Sequence, residues 1–373
     1  MLLLAGVVAL GGCQPPPVRI GFIGGLRGRL SDLVADGRNG AQLAVETLNE
    51  KGGRQRYELM VHDDEPDAGA IGALVDAAAD RGDAFAVGPM TSSLAAGLLD
   101  EANRRRFVMI SPTANSGALS KLDDYLFRVA AAAGPGAERL AQVAIDRGLE
   151  TAAVMMDWRN RSYSEDFAKA FAVKFQALGG TRVEYVRYET RFDPDFADVA
   201  AQLLASHPKI VLLASGSIDA SMVAQKLRRM DPKVALAVAS WTAHDQFLQL
   251  GGPAVEGALV LQPLDLDSKA PSYLDFLRRY RARFGMAAGP AAALSYEAAM
   301  VGADAMKKTS PGRSLRDVLR VPGDWPGLQG PVVLDRFGDS GNRFFLSEVR
   351  GGRFTMLGDA AAKESRDRQA DRP

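Results

Sequence analysis

The chain has 373 residues, 47% of them hydrophobic and 24% charged, enough to bury a large core and long enough for two domains rather than one. Its 45 basic and 45 acidic residues cancel, so no net field draws it to nucleic acid or to an anionic membrane surface. A single cysteine, Cys13, excludes an internal disulfide framework and a cysteine-rich zinc site.

The N-terminus reads MLLLAGVVALGGCQPPP. The apolar run from Leu2 to Leu10 is far too short to span a bilayer but has the length of a signal-peptide core, and two small residues, Gly11 and Gly12, follow it. Leu10-Gly11-Gly12-Cys13 resembles the lipobox of bacterial lipoproteins. That resemblance implies export, with residues 1–13 as a signal segment ending at a lipidated Cys13, a membrane anchor, and residues 14–17 as an extended tether. No Lys or Arg precedes the apolar run, which departs from the signal pattern. The alternative is a buried first strand carrying an incidental cysteine.

From Val18 onward strands and helices alternate. VRIGFIG reads as a strand, and in GRNGAQLAVETLNEKGG residues Ala41, Ala44, Val45 and Leu48 fall at helical spacing before Gly52-Gly53. Next come YELMVHDD (strand), DAGAIGALVDAAADRG (helix), AFAVGP (strand), SSLAAGLLDEANRR (helix) and RFVMISP (strand). After Phe127-Arg128 the alternation starts again. A helix near 135–147 leads to TAAVMMDW, a helix from Tyr163 to Leu178, RVEYVRYE, the helical DPDFADVAAQLLASHP, KIVLLAS, DASMVAQKLRRM and VALAVAS. Two further helices, YLDFLRRYRARFG and AALSYEAAMVGADAMKK, precede GPVVLDRFGDSGNRFFLSEVRGGRFTML, which reads as two β-runs around a turn at Gly338–Gly341. The last residues, 359–373, are polar and expected to fray.

Such alternation implies parallel pairing through right-handed crossovers, with sheets covered on both faces. The expected fold class is α/β, as two doubly wound lobes. The expected division is 18–133 plus 265–325 in the first lobe and 134–264 plus 326–358 in the second. Open parallel sheets bind ligands at the carboxyl ends of their strands. In the first lobe those ends are Gly24 to Leu33, Asp63-Asp64, Gly88 to Ser93 and Ser111 to Ser116. In the second they are Asp157 to Tyr163, Ser215 to Ile218 and Ser240 to Asp245. A cleft between two facing lobes is a favoured place for a small molecule.

Catalytic patterns are missing. The chain has no G-x-x-x-x-G-K-[ST], no G-x-G-x-x-G after the first strand, no H-E-x-x-H and no G-x-S-x-G. Its three histidines, His62, His207 and His244, do not fall at metal-ligand spacing. The expectation is therefore a binding protein with no cofactor and no metal, not an enzyme. At Thr91-Ser92-Ser93 the hydroxyls open a helix, where they either cap it or help hold an anion.

With these residues in view, the chain resembles the leucine/isoleucine/valine-binding protein family, the type I periplasmic receptors of branched-chain amino-acid ABC importers. NGAQLAVETLNEKGG, HDDEPD, VGPMTSS, VMISPTAN, YLFRVAA, YSEDFAKAFAVKFQALGG, FLRRYRARFG, SYEAA and GPVVLDRFGDSG carry the resemblance, in order, from about Val18 to Leu357. It implies two lobes joined by three crossover strands that close like a hinge on a small carboxylate-bearing solute, and ABC permease subunits as membrane partners. It implies that Ser92, with Ser93, holds the ligand carboxylate, that Thr113 and Asn115 add a second set of contacts, and that Tyr163 lies over the ligand. Ser217 and Trp241 stand at strand ends of the second lobe. Asn115 replaces the family's usual threonine, and Leu33 stands where an aromatic is frequent. The acidic partner of an amino-acid ammonium falls near Ser240-Trp241, neither of which is acidic, so Asp245 is the nearest substitute. Arg27, Arg29, Arg159 and Arg161 are cleft-side cations that suit an acid. A sensor lipoprotein of the same fold, which delivers nothing to a permease, is the alternative function; Gln14 after Cys13 motivates it.

Overall fold

The computed structural model describes residues 15–24, 31–62, 71–189, 195–341 and 344–358. Cys13 with the preceding apolar run, Arg27, Arg29, the Asp63-Asp64 pair and the tail 359–373 lie outside the described residues.

The chain lays down β1 (Val18–Ile23), α1 (Ser31–Glu50), β2 (Tyr57–His62), α2 (Ala73–Asp80), β3 (Phe85–Val87), α3 (Ser92–Arg105), β4 (Met109–Ser111) and β5 (Leu126–Ala131) in the first lobe. It crosses to the second for α4 (Ala133–Asp146), β6 (Thr151–Asp157), α5 (Arg161–Ala177), β7 (Arg182–Tyr188), α6 (Phe196–Leu204), β8 (Ile210–Ala214), α7 (Ser217–Met230), β9 (Ala235–Val238), α8 (Asp245–Gly251) and β10 (Leu259–Gln262). It returns for α9 (Pro271–Phe284), α10 (Pro290–Met306), α11 (Leu315–Leu319), β11 (Gly323–Trp325), β12 (Val332–Leu334) and β13 (Asp339–Ser340). A third crossing leads to β14 (Phe345–Arg350) and β15 (Arg353–Met356) in the second lobe. This is the two-lobed type I periplasmic binding fold.

The first sheet has the order β11-β12-β13-β5-β4-β3-β1-β2 and the second β15-β14-β10-β9-β8-β6-β7. Each contains the same parallel five, with the opening strand between the second and the third. The strand order reverses at that opening strand, which sets the crevice of each lobe at its carboxyl end. Burial on both faces explains why these strands read as unbroken apolar runs rather than alternating ones. In β6, Ala153 and Met155 enter one core cluster and Ala152, Val154 and Met156 the cluster on the opposite face. Among the described residues no helix is long and apolar enough to cross a membrane, and no group of three His, Cys, Asp or Glu could hold a metal ion.

One boundary is corrected. Residues 326–341 belong to the first lobe, because β12 is antiparallel to β11 and to β13, and β13 lies parallel to β5. Val332 and Leu334 enter the first lobe's core with Trp325 and Leu328. Polar pairing fixes the same boundary. Arg128 on β5 is 1% exposed and donates from Nε and Nη2 to one Asp339 oxygen at 3.0 and 2.7 Å. Its remaining donors reach the Ser116 carbonyl at 2.8 Å and the Ser120 hydroxyl at 2.6 Å. A buried guanidinium is tolerated only when paired and fully hydrogen-bonded, so Asp339 is held where Arg128 sits. The two expected β-runs are thus four strands, split between the lobes. A second buried polar pair, His62 Nε2 with Asp83 at 2.6 Å, closes the end of β2 and gives that histidine a packing role.

Helix α1 packs on α10 at very short range. A Cβ on Gly40 would sit 2.0 Å from the Ala292 carbonyl oxygen. Four residues earlier, Asp36 crosses to the N-terminus of α10 and accepts from Gly289 N–H (3.1 Å), Ala292 N–H (2.9 Å) and the Tyr280 hydroxyl (2.8 Å). Gly289 has no side chain with which to cap its own helix, so a carboxylate from α1 takes that task. Burial pushes the Asp36 carboxyl above its ordinary range, against the lowering effect of His244 and these three donors. Gly40→Ala is expected to destabilise the protein by about 1–3 kcal/mol, the usual cost of overpacking, despite the roughly 1 kcal/mol that alanine gains over glycine in a helix. Urea denaturation measures it, and a neutral or stabilising effect would contradict the close packing of α1 on α10.

Candidate functional site

The carboxyl ends of both sheets face each other across a cavity of about 610 Å³, part of it continuous with solvent. The first lobe contributes Asp32 and Leu33 from α1, Met90 after β3, Thr113 and Asn115 after β4, and Pro290, Ala291 and Leu294 from α10. The second contributes Asn160 and Tyr163 at the start of α5 and Ser240, Trp241, Ala243 and His244 after β9. Ala130 and Pro263, at two of the three crossings, form the back wall.

The helix-opening hydroxyls divide three tasks between them. Thr91 is the cap of α3, its Oγ1 accepting from Leu94 N–H at 3.3 Å. Ser92 is 1% exposed, and its Oγ accepts from the N–H groups of Asn115 and Ser116, both at 3.1 Å. It does not line the cavity, which corrects its expected contact with a ligand: its acceptor is spent on shaping the turn that carries Asn115. Ser93 faces the other lobe. Its N–H donates to Asn160 Oδ1 at 3.1 Å, and its Oγ accepts from Ser162 N–H at 3.1 Å. Two further bonds span the lobes: Gly117 N–H to Asp166 Oδ2 at 2.7 Å, and the Ser217 hydroxyl to Asp32. Ser93 and Ser217 therefore hold lobe to lobe rather than lining the cavity.

Four expected residues do come together. Thr113 lines the cavity while its hydroxyl donates to the Met90 carbonyl at 2.5 Å. The Asn115 side-chain amide makes no hydrogen bond among the described residues and is free for a ligand. Tyr163 is 2% exposed and stacks on Phe167 at 5.3 Å between ring centroids. Trp241 lies 5.6 Å from the Tyr163 ring. The Trp241 indole nitrogen is buried without a partner in hydrogen-bonding geometry, and the Tyr163 hydroxyl is buried beside Ser240. Burial pushes the Tyr163 phenol far above its ordinary range, only partly offset by Ser240 beside it.

Asp245 is a correction. It borders a separate surface hollow with Leu248, Gln249 and Arg353. Helix α8 starts at Asp245, and His244 is its cap, with Nδ1 accepting from Gln246 N–H at 3.3 Å. That geometry leaves His244 in the cavity wall and turns Asp245 out of it. The arginines of the second lobe are likewise committed. Arg159 pairs with Asp157 at 2.5 Å and Asp219 at 2.7 Å, inside the lobe. Arg161 pairs with Glu165 at 2.8 Å and lies 4.8 Å over the Trp158 ring. Among the described residues no Lys or Arg lines the cavity, and Asp32 is its one carboxylate. Asp32, Asn160 and His244 lie in strand-end loops that the sequence pointed to without being singled out there, and the α10 residues were missed. Gly289-Pro290 before a helical run marked the α10 terminus, since proline favours the first helical position.

Ser92→Ala leaves two buried N–H groups without their acceptor. A loss of about 1–3 kcal/mol of stability is expected in chemical denaturation; an unchanged midpoint would show that the hydroxyl does not hold the 115–116 turn.

Residues 17–353 match the periplasmic binding protein family. A Leu/Ile/Val-binding protein homologue of Brucella melitensis is 23% identical over 271 residues, covering 71% of this chain and 72% of the relative. A leucine-binding protein from Thermotoga maritima superposes with a TM-score of 0.82 at 20% identity, over 91% of this chain and 98% of that one. A solute-binding protein of an ABC transporter from R. palustris, solved with benzoate, gives a TM-score of 0.82 at 18% identity, over 92% and 96%.

Proposed function

The chain belongs to the periplasmic binding protein family, as its resemblance to the leucine/isoleucine/valine-binding members implied, and from that premise we propose an extracytoplasmic receptor for a small carboxylate-bearing solute. The solute is captured between the lobes and presented to the permease of an ABC importer. The observation that carries this reading is a cavity walled by both lobes and by two hinge crossings, with direct hydrogen bonds spanning the lobes at its rim. Such a cavity is reached by a solute only when the lobes part, and hinge closure then gives the permease a liganded shape to distinguish.

The wall suits an acid with an apolar body. Leu33, Met90, Ala130, Pro263 and Leu294 supply hydrophobic surface. The Asn115 amide, on a turn held by Ser92, offers a neutral donor to a carboxylate. Hydrogen bonds to a charged acceptor contribute about 1.5–3 kcal/mol each. Of the solved relatives, one is a leucine-binding protein and another holds benzoate, and both molecules are small carboxylates with apolar bodies. A lipid on Cys13 would hold the receptor at the membrane surface. Gln14 after that cysteine favours a second reading, a ligand sensor anchored away from an inner-membrane permease.

Thermal-shift screening of the chain lacking residues 1–13 against amino acids, amides and aromatic acids tests the receptor reading. A ligand at 100 times its Kd adds about 2.7 kcal/mol of stability. Leu294→Trp, which fills the cavity, is expected to abolish the shift while the variant still unfolds cooperatively. A shift that survives this substitution would move the site elsewhere. The absence of a stabilising solute from all three classes would end the receptor reading.

A further inference from the structure

Helix α1 approaches the second lobe along one face. Asp32 receives the Ser217 hydroxyl. Asp36, one turn further on and so on the same side of the helix, holds the start of α10 through the Gly289 and Ala292 N–H groups. Directly beyond Gly289 stands His244 of the second lobe. A Cβ built on Gly289 would lie 2.6 Å from Asp36 Oδ2, 2.6 Å from His244 Cδ2 and 3.0 Å from His244 Nε2. The three residues thus meet at one point, two from the first lobe and one from the second. Neither neighbour is loose: Asp36 accepts from Gly289, Ala292 and Tyr280, and His244 Nδ1 caps α8 by accepting from Gln246 N–H. The backbone does not ask for glycine here, since φ −83° and ψ 175° suit any L-residue. What glycine supplies at this point is closeness.

We infer that Gly289 and His244 are the seat on which the lobes close, and that Gly289 is a positioning residue: a side chain there holds the lobes apart. His244 lines the cavity, as do Pro290 and Ala291 immediately after Gly289. The seat therefore adjoins the solute space, and its spacing fixes how fully that space is enclosed. Packed protein does not yield smoothly to an added methyl, so a small obstruction at such a point acts on the whole closing motion. Under the receptor reading, on which this consequence rests, retention of any solute scales with the fraction of closed molecules. The bonds among Ser93, Asn160 and Ser162 hold the lobes once they meet; the seat decides how near they come.

Disulfide trapping at a different contact between the lobes tests the seat without any solute. Gly117 donates its N–H to Asp166 across the cleft at 2.7 Å, and a Cβ on Gly117 would stand 3.5 Å from Asp166 Cγ. In the full chain carrying Cys13→Ser, the pair Gly117→Cys and Asp166→Cys can bond only when the lobes are closed, because bridged Cβ atoms lie about 3.5–4.5 Å apart. Adding Gly289→Ala is expected to slow bond formation under mild oxidant at least about fivefold, the smaller end of what one steric conflict does to a two-state equilibrium. In a His244→Ala background, the same addition is expected to change the rate less than about twofold, because the ring that the methyl would meet is gone. Gly289→Ala also presses on Asp36 within the first lobe, so its unfolding temperature falls in both backgrounds; the background dependence of trapping is what a purely structural role would not produce. Equal slowing in both backgrounds would show that the methyl acts through Asp36 alone and overturn the inference. An undiminished rate in Gly289→Ala would overturn it too, as would the absence of any bond in the parent pair. The receptor reading is decided separately, by the solute screen with Leu294→Trp.

Discussion

Two helix N-termini meet head-on across the cleft, and each is completed by the other lobe. The first N–H groups of a helix have no partners within it and carry partial positive charge, so bringing two such ends together is unfavourable without acceptors between them. Asn160, at the start of α5, takes the Ser93 N–H of α3; Ser93 in return takes the Ser162 N–H of α5. Asp166, further along α5, adds the Gly117 N–H. Closure is thereby bonded at the rim by the protein's own groups. Each bond nets only about 0.5–1.5 kcal/mol, since water offers the same groups partners when the lobes part. The rim therefore fixes the geometry of the closed state without locking it, and the interior of the cavity is left to decide how long closure lasts.

The interior divides the work unevenly. The first lobe is rigid where it faces the solute: Ser92 holds the 115–116 turn, Arg128 ties the Ser116 carbonyl to Asp339, and Asp36 caps α10 from α1. Ser92, Arg128 and Asp36 are each matched by partners, so that wall is shaped before any ligand arrives. The second lobe contributes the aromatic surface of Tyr163 and Trp241 and a donor without a partner, the Trp241 indole N–H. A preformed wall lowers the ordering cost of binding, and an unsatisfied wall supplies selectivity, because only a molecule of the right polarity removes its penalty.

Much of the architecture was legible because both lobes are doubly wound: alternating apolar strands and amphipathic helices leave a strong periodic signal, and the strand ends named the loops that now frame the cavity. Thr113, Asn115, Tyr163 and Trp241, which stand on those loops, line the cavity. What escaped was the direction of individual side chains. Ser92 and Ser93 are neighbours, yet a helical step of about 100° sends one into the first lobe and the other across the cleft. Asp245 and His244 differ by one position, and the start of α8 between them decides which one faces the solute. Asp32 depends on Ser217, 185 residues away, for its place, and no local pattern encodes such a pairing. The misplaced boundary at 326–341 has the same origin, since Asp339 is held by Arg128 from 211 residues earlier.

That last pairing has a bearing on how the chain is made. Strand β5 is synthesised early, but the counter-charge for its buried guanidinium emerges only after the second lobe's parallel strands and their helices have been made. Helix α1 waits in the same manner for α10, whose terminus Asp36 must cap. The amino-terminal lobe thus cannot complete its polar pairing before residue 339 has been made. A nascent chain whose opening segment cannot settle by itself stays extended for longer, which is the state in which a polypeptide can be threaded through a narrow conduit.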